Sequence, residues 1–372
     1  MRRCLINDSG EVVTYLPPTD STKTDTGATA DLTGTTGQVM VEIPKHYRKF
    51  EFDGTIITAL ISLYNLPGFH EVPKMYISAY EATIDRTTSS TPKLASVVNK
   101  TANFRGGNNN SAWDGTYRSL LGLPATQTSL TNFRKYARNR GEAGLNGCGW
   151  NCNLYAAQVA MYWLYVIEYA NRNCQAAYNA EPTSEGYKQG GLGDGVTTLN
   201  ASKWNTYNSY YPFVPCGFTN SLGNRSGVVE FTMPDEYDTG VVTKVKVPSY
   251  RGVENPFGHL WKWTDGCKCE IQSDTDGALS KFYVCLDPSK FQDSSYNDYD
   301  MRGELPRKEG YVKRMMIGEH GDIMPMEVGA SSTTHFADYF YTNIPASGAA
   351  MRGVLFGGCA GSGASAGLSF AN

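Results

Sequence analysis

From residue 153 to 173 the chain reads NLYAAQVAMYWLYVIEYANRN, about five turns of helix with neither glycine nor proline. Its apolar residues fall on almost every side instead of along one stripe. A helix of that kind must be packed by several other elements. The neighbouring sequence offers mostly strands for this. Gln38–Ile43 sets Val39, Val41 and Ile43 on one face, and residues 74–81 do the same with Met75, Ile77 and Ala79. Residues 228–232, 241–247, 281–286 and about 350–358 also read as strands, while the apolar, β-branched run 56–64 fits either a strand or a buried turn of helix. A second, shorter helix is expected over 129–141, opened by Ser129, with Leu130, Phe133 and Ala137 at helical spacing and Gly141 at its end. Residues 1–37, rich in Thr, Asp, Gly and Ser, read as an extended lead-in, and 182–209 as a long loop.

A chain of 372 residues fits one large domain, because no linker divides it. At that size roughly three quarters of the unfolded surface can be buried, so neither disulfides nor a metal are required for stability. The net charge of −3 and the scattered Lys and Arg give no basic stripe, so nucleic acid is not an expected partner. Membrane insertion is not expected either: the apolar stretches near 56–66 and 159–167 fall short of the roughly 20 residues that cross a bilayer. The N-terminal Met-Arg-Arg-Cys lacks an apolar segment behind its charges, so no secretory signal is expected. Only 19% of residues are charged, against 24 Tyr, 15 Phe and 6 Trp with abundant small polar residues. Loop-rich β proteins have that balance, and so do adaptable binding surfaces, where Tyr contributes contact area at low entropy cost.

Catalytic and metal motifs are weak. Gly363-Ala-Ser-Ala-Gly367 matches G-x-S-x-G in letters, but a loop precedes it and no His or acid follows Ser365. The glycine-rich 190–195 lacks a P-loop Lys and the flanking β-α unit. Nine cysteines leave at least one thiol unpaired in a monomer, and neither Cys148/Cys152 nor Cys267/Cys269 has zinc-ligand spacing. The five histidines are dispersed, and His259 reads as a structural hydrogen-bonding residue. Asp274, Asp276 and the run Asp293 to Asp300 are where calcium could bind, although neither group has EF-hand spacing.

The segment 249–266, SYRGVENPFGHLWKWTDG, places Trp261 and Trp263 on one face of a strand, with Leu260 and Lys262 on the other. The segment 351–372 runs from Met-Arg-Gly-Val into a string of Gly, Ala and Ser ending in Phe-Ala-Asn. Following a long helix, these two segments resemble the markers of the formylglycine-generating-enzyme type of C-type lectin fold, and within it the variable proteins of diversity-generating retroelements. The resemblance implies an α+β C-type lectin fold. Residues 1–45 read as an N-terminal extension and first strand, and the resemblance implies a C-type lectin-like ligand-binding domain over 46–372 whose variable region spans about 350–372. On this likeness Phe356, Cys359, Gly361, Ser362, Ser365, Ser369 and Asn372 form the variable ligand-binding face, and Trp261, Trp263, Arg352 and Gly353 are scaffold. The implied function is non-enzymatic: a phage tail adhesin, in the virion or in the host bacterial cytoplasm before assembly, recognising a bacterial cell-surface protein or glycan. A homo-oligomer suits it, and it needs no cofactor, calcium apart. The alternative is an oxidase of the formylglycine-generating type, which would need a redox-active cysteine pair involving Cys359.

Overall fold

The computed structural model describes residues 1–105, 121–126, 128–141, 149–178, 214–232, 244–275, 277–334, 336–360 and 362–372. The apolar run forms a helix over Tyr155–Tyr169 in which nine of the 15 residues are buried. It ends at Tyr169 and not at Asn173 because Ala170 turns into the left-handed region, with φ 48°, and returns its N–H to the Ile167 carbonyl. Four stretches of chain cover this helix. Trp163 meets the Phe50 ring at 4.7 Å, Tyr155 meets Phe282 at 5.2 Å and Phe356 at 6.0 Å, and Tyr165 meets Tyr250 at 4.8 Å. Such ring pairs contribute about 0.5–1.5 kcal/mol each beyond the area they bury.

The strands that supply these rings belong to small antiparallel sheets. One runs in the order Val12–Tyr15, Arg2–Ile6, Gln38–Ile43, Met75–Ser78, and another in the order Asp300–Leu305, Ser280–Val284, Lys262–Gln272, Ala349–Phe356. Three-stranded sheets join Gly227–Thr232, Lys244–Tyr250 and Val253–Glu254; Asp322–Val328, Gly310–Ile317 and Tyr339–Phe340; and Ile57–Ser62, His46–Phe52 and His70–Val72. Thr83–Asp85 pairs with Lys93–Ala95. Leu5, Val39, Tyr162, Tyr250, Phe282, Met324, Phe356 and Phe370 all belong to one continuous buried cluster.

This architecture corrects the expected α+β C-type lectin fold. Among the described residues there are two α-helices, of 9 and 15 residues, and the rest of the regular structure is mostly strand in small sheets with no closed barrel. The segment that carried the resemblance explains the mismatch. It folds as a strand to Tyr250, a turn at Arg251 and Gly252 with φ 49° and 90°, a short strand, and a second turn through Asn255 and Gly258 before Lys262–Gln272 begins. Local turn chemistry of this sort does not specify how sheets are arranged beyond it.

The packing does not divide at residue 45 either. Arg2–Ile6 has strands on both sides, and the fully buried Arg3 donates from Nε to the Gly252 carbonyl at 2.7 Å and from Nη1 to Asn220 Oδ1 at 2.5 Å. What read as an extension is therefore an inner wall. The ambiguous run 56–64 is a strand, Ile57–Ser62. Gly310–Ile317 and Asp322–Val328 escape a period-two reading because their pairing shifts register three times, at Val312/Arg314, Arg314/Met315 and Met315/Ile317.

The short helix forms over Leu130–Arg138, and Ser129 Oγ accepts the Asn132 N–H at 3.2 Å. Its most buried side chains include Arg134, which the expected apolar face of Leu130, Phe133 and Ala137 leaves out. The Arg134 guanidinium donates to Asp265 at 2.6 and 3.0 Å and to Asp293 at 2.8 and 3.1 Å. Asp265 lies where the register between Lys262–Gln272 and Ala349–Phe356 breaks, between Thr264 and Cys269, so this pair fixes the break against the helix. Arg134→Met should destabilise the protein by about 3–5 kcal/mol in urea unfolding, because it strands the buried Asp265 carboxylate. Asp293→Asn should cost less than about 1 kcal/mol, since that partner is largely solvated.

Candidate ligand-binding cleft

Beyond Phe356 the chain leaves the sheet, makes a turn of 3-10 helix at Gly363–Ser365 and returns, so that Ala371 bridges both Phe340 and Phe356. Asn372 and Leu355 exchange both main-chain hydrogen bonds, at 3.0 and 2.9 Å. The returning segment is gripped by its backbone. Gly357 N–H donates to Phe370 O at 3.0 Å, and Ala360 N–H to His259 O at 3.1 Å. Two buried glutamines add to this. Gln158, from the first turn of the apolar helix, donates to Leu368 O at 2.8 Å, and Gln175, in the turn Cys174–Ala177, donates to Ala366 O at 2.7 Å and to Gly363 O at 3.2 Å. All of these acceptors are peptide carbonyls, which every residue type supplies.

Between these clamps, Ala360, Ala364, Ala366, Leu368, Phe370 and Ala371 are buried anchors. Phe370 lies against Trp261 at 4.5 Å and Tyr341 at 5.7 Å between ring centroids. Gly358, at φ 73°, fits beneath it, and a Cβ there would come within 2.6 Å of the Phe370 ring. Asp338 is enclosed under the segment. It accepts the Ser369 N–H at 2.9 Å and the Ser369 hydroxyl, and a Cβ on Gly367 would overlap its carboxylate. Burial pushes the Asp338 carboxyl up to about 7, against the Ser369 bonds, which favour the charged form.

Over this support opens a cleft of about 410 Å³, lined by Trp261, Glu309, Tyr341, Asn343, Cys359, Ser362 and Asn372. Thr342 N–H donates to Glu309 Oε1 at 3.2 Å, and Arg352 props the Asn343 carbonyl from Nε and Nη2 at 3.3 and 3.2 Å. Cys359 N–H donates to Ser362 Oγ at 3.0 Å, which fixes the turn between them. An indole and a phenol beside two amide side chains, a hydroxyl, a thiol and a carboxylate offer both apolar area and directional polar contacts, the usual make-up of a ligand site.

The expected residues divide. Cys359, Ser362 and Asn372 line the cleft together with the scaffold residue Trp261, which immediately precedes the strand. Ser365 is half-buried, with its hydroxyl 3.2 Å from Tyr311 Oη, and does not line the cleft. Phe356 and Ser369 are 0% exposed, which corrects their assignment to a ligand-facing surface: one packs on Tyr155 and the other is bonded to Asp338. Gly361 lies outside the described residues. Of the other scaffold residues, Trp263 closes over Gly353, where a Cβ would stand 3.1 Å from the ring, and Arg352 supports the cleft wall. Glu309, Tyr341, Asn343, Gln158, Gln175 and Asp338 were not singled out from sequence. The one available signal was the amide of Gln158 inside the otherwise apolar run 154–167.

His259 is a structural group. Its Nδ1 is 2.5 Å from Glu81 Oε2, and Lys262 Nζ donates to Glu81 Oε1 at 2.9 Å. Burial would raise the Glu81 carboxyl, but Lys262 and His259 together hold it down at about 2. Asp293 and Asp298 are engaged by Arg134 and Lys290, Asp276 lies outside the described residues, and no group of three or more metal-ligating side chains occurs among the described residues. The eight described cysteines are free thiols; Cys148, like residues 190–195 and His335, lies outside the described residues. Comparison with protein-family models, curated proteins and solved structures found no match to this chain.

The raised Asp338 carboxyl gives a pH test. The folded protein holds this proton more tightly than the unfolded chain, so its contribution is complete below the ordinary value of 3.8 and is lost as pH rises through about 7. Thermal melts should show wild type losing stability relative to Asp338→Asn across that window. A difference independent of pH would contradict the assignment.

Proposed function

We propose that this is a non-enzymatic recognition protein that binds a bacterial cell-surface protein or glycan in the cleft beside Trp261 and Tyr341. In this proposal its terminal segment is diversified by a retroelement, as in a phage tail adhesin that is carried on the virion after assembly in the host cytoplasm. The observation that supports it best is how residues 357–360 and 362–372 are held: by backbone bonds and buried apolar anchors, with small side chains at Cys359 and Ser362 lining the cleft. The Cys359 side chain can change without removing a clamp, and a change at Ser362 gives up its bond from the Cys359 N–H but leaves the clamps at Gly357, Ala360, Ala366 and Leu368 in place. The cleft and its clamp stand on the small antiparallel sheets described above and need no C-type lectin architecture.

Binding would work by preorganised display. The backbone is ordered before the ligand arrives, which lowers the entropy cost of association. Trp261 and Tyr341 supply the kind of aromatic anchor that dominates affinity, while Glu309, Asn343 and Asn372 offer hydrogen-bonding groups at the rim. Larger residues at positions 359 and 362 would fill the cleft and change its chemistry.

Sequencing the encoding locus tests this. A reverse transcriptase gene and a near-identical template repeat should lie nearby, differing from the coding repeat at adenines. The differences should fall in the codons of Cys359, Ser362, Ser365 and Asn372, and spare those of Phe356, Leu368, Ser369 and Phe370. A locus without a template, or differences concentrated in the buried codons, would contradict the proposal.

A further inference from the structure

His46–Phe52 is the middle strand of a three-stranded sheet, with His70–Val72 on one side and Ile57–Ser62 on the other. Its base is anchored. The Phe50 ring lies 4.7 Å from Trp163, and Arg48 Nη2 donates to the His320 carbonyl at 2.7 Å. The register sets Phe50 opposite Ala59 and Phe52 opposite Ile57. The face that packs on the core at Phe50 and Ala59 therefore continues past the body of the protein, where Phe52 is 68% exposed and Ile57 46%, with Ile56 beside them at 60%. Lone exposed apolar residues are ordinary, but a continuous apolar face is a contact surface.

The strand Ile57–Ser62 is also a sheet edge, paired on one side only among the described residues. Edge strands exposed to water are normally guarded by Lys, by Pro or by a bulge, because their free N–H and C=O groups recruit other strands. This one has none of these guards: residues 55–66 read TIITALISLYNL, without charge or proline, and the pairing with His46–Phe52 is regular. Left open, a β-branched uncharged edge of this kind leads to aggregation.

We infer that this edge is closed by the same edge of a second copy of the chain, in a twofold-symmetric continuous sheet. The strand is complementary to itself. A twofold axis perpendicular to a sheet keeps each face on its own side, so antiparallel pairing must be centred on a residue and not between two. Centring on Ala59 sets Ile57 opposite Ile61 of the partner subunit on the apolar face, leaves the small Ala59 at the axis and brings no like charges together. The twofold pairing is closed: it uses each edge once and leaves none to propagate.

The test is the mass of the full chain by light scattering over a wide concentration range, for wild type, Ile57→Lys and Ala59→Cys. Wild type should be a dimer. Ile57→Lys, at an exposed position, should keep the wild-type circular dichroism spectrum and melting temperature of the monomer. It should raise the dimer dissociation constant by at least about tenfold, the worth of one buried Ile contact. Ala59→Cys should cross-link into dimers on mild oxidation beyond the background of wild type, because the axis brings the two introduced thiols together. A wild-type monomer at every concentration would overturn the inference. So would a dimer that neither responds to Ile57→Lys nor cross-links through position 59, and so would partition of the apolar face into lipid vesicles by a monomeric chain.

Discussion

A helix that is apolar almost all round must be packed by several elements, and the architecture follows from that requirement along Tyr155–Tyr165, the part of the helix before its exposed last turn. Rings from four separate stretches of chain meet it, and Leu5, Leu368, Phe370 and Ala371 join the same buried cluster. The buried polar exception within the helix is Gln158, since Glu168 lies in the exposed last turn. A buried amide without partners would cost about 1–3 kcal/mol, so its position requires a partner nearby. That partner is the Leu368 carbonyl, which ties the returning C-terminal segment directly to the central helix.

The terminal segment separates two jobs that most loops combine. Its path is set by main-chain bonds, by buried residues such as Leu368 and Phe370, and by close approaches at Gly358 and Gly367. The chemistry it presents rests with Cys359, Ser362 and Asn372, which touch the cleft, and the Ser362 hydroxyl also helps to hold the turn by accepting the Cys359 N–H. Asp338 and Ser369 belong to the first job. Their bonds lie beneath the segment, out of reach of a ligand.

Gln38–Ile43 was legible from its period, the long helix from an apolar run without glycine or proline, Ile57–Ser62 as one of two readings, and the closing strand Ala349–Phe356 to within two residues. The closing strand also held evidence against assigning Phe356 to the ligand face. Val354 and Phe356 share one side, which is buried, while Leu355 between them is half-exposed. The fold class was not legible, because the segment around Trp261 and Trp263 encodes turns and one strand rather than the order of sheets. Bulges hid Gly310–Ile317 and Asp322–Val328, and the burial of Arg134 depends on an Asp265 that is distant in sequence. Three of the seven cleft residues were missed for the same reason: Glu309, Tyr341 and Asn343 reach it only through tertiary packing.

The most direct test of the account is a saturation substitution scan of residues 356–372 read out by resistance to unfolding. Positions 359 and 372 should accept aromatic and charged side chains with changes within about ±0.5 kcal/mol, as surface sites do, and positions 362 and 365 should lose about 1 kcal/mol, the worth of the one hydroxyl bond that each gives up. Substitutions at Phe356, Ser369 and Phe370 should unfold the protein or cost several times more. If tolerance were uniform along the segment, or if Cys359 and Ser362 proved as intolerant as Phe370, the segment would be held by its side chains and the account would be wrong.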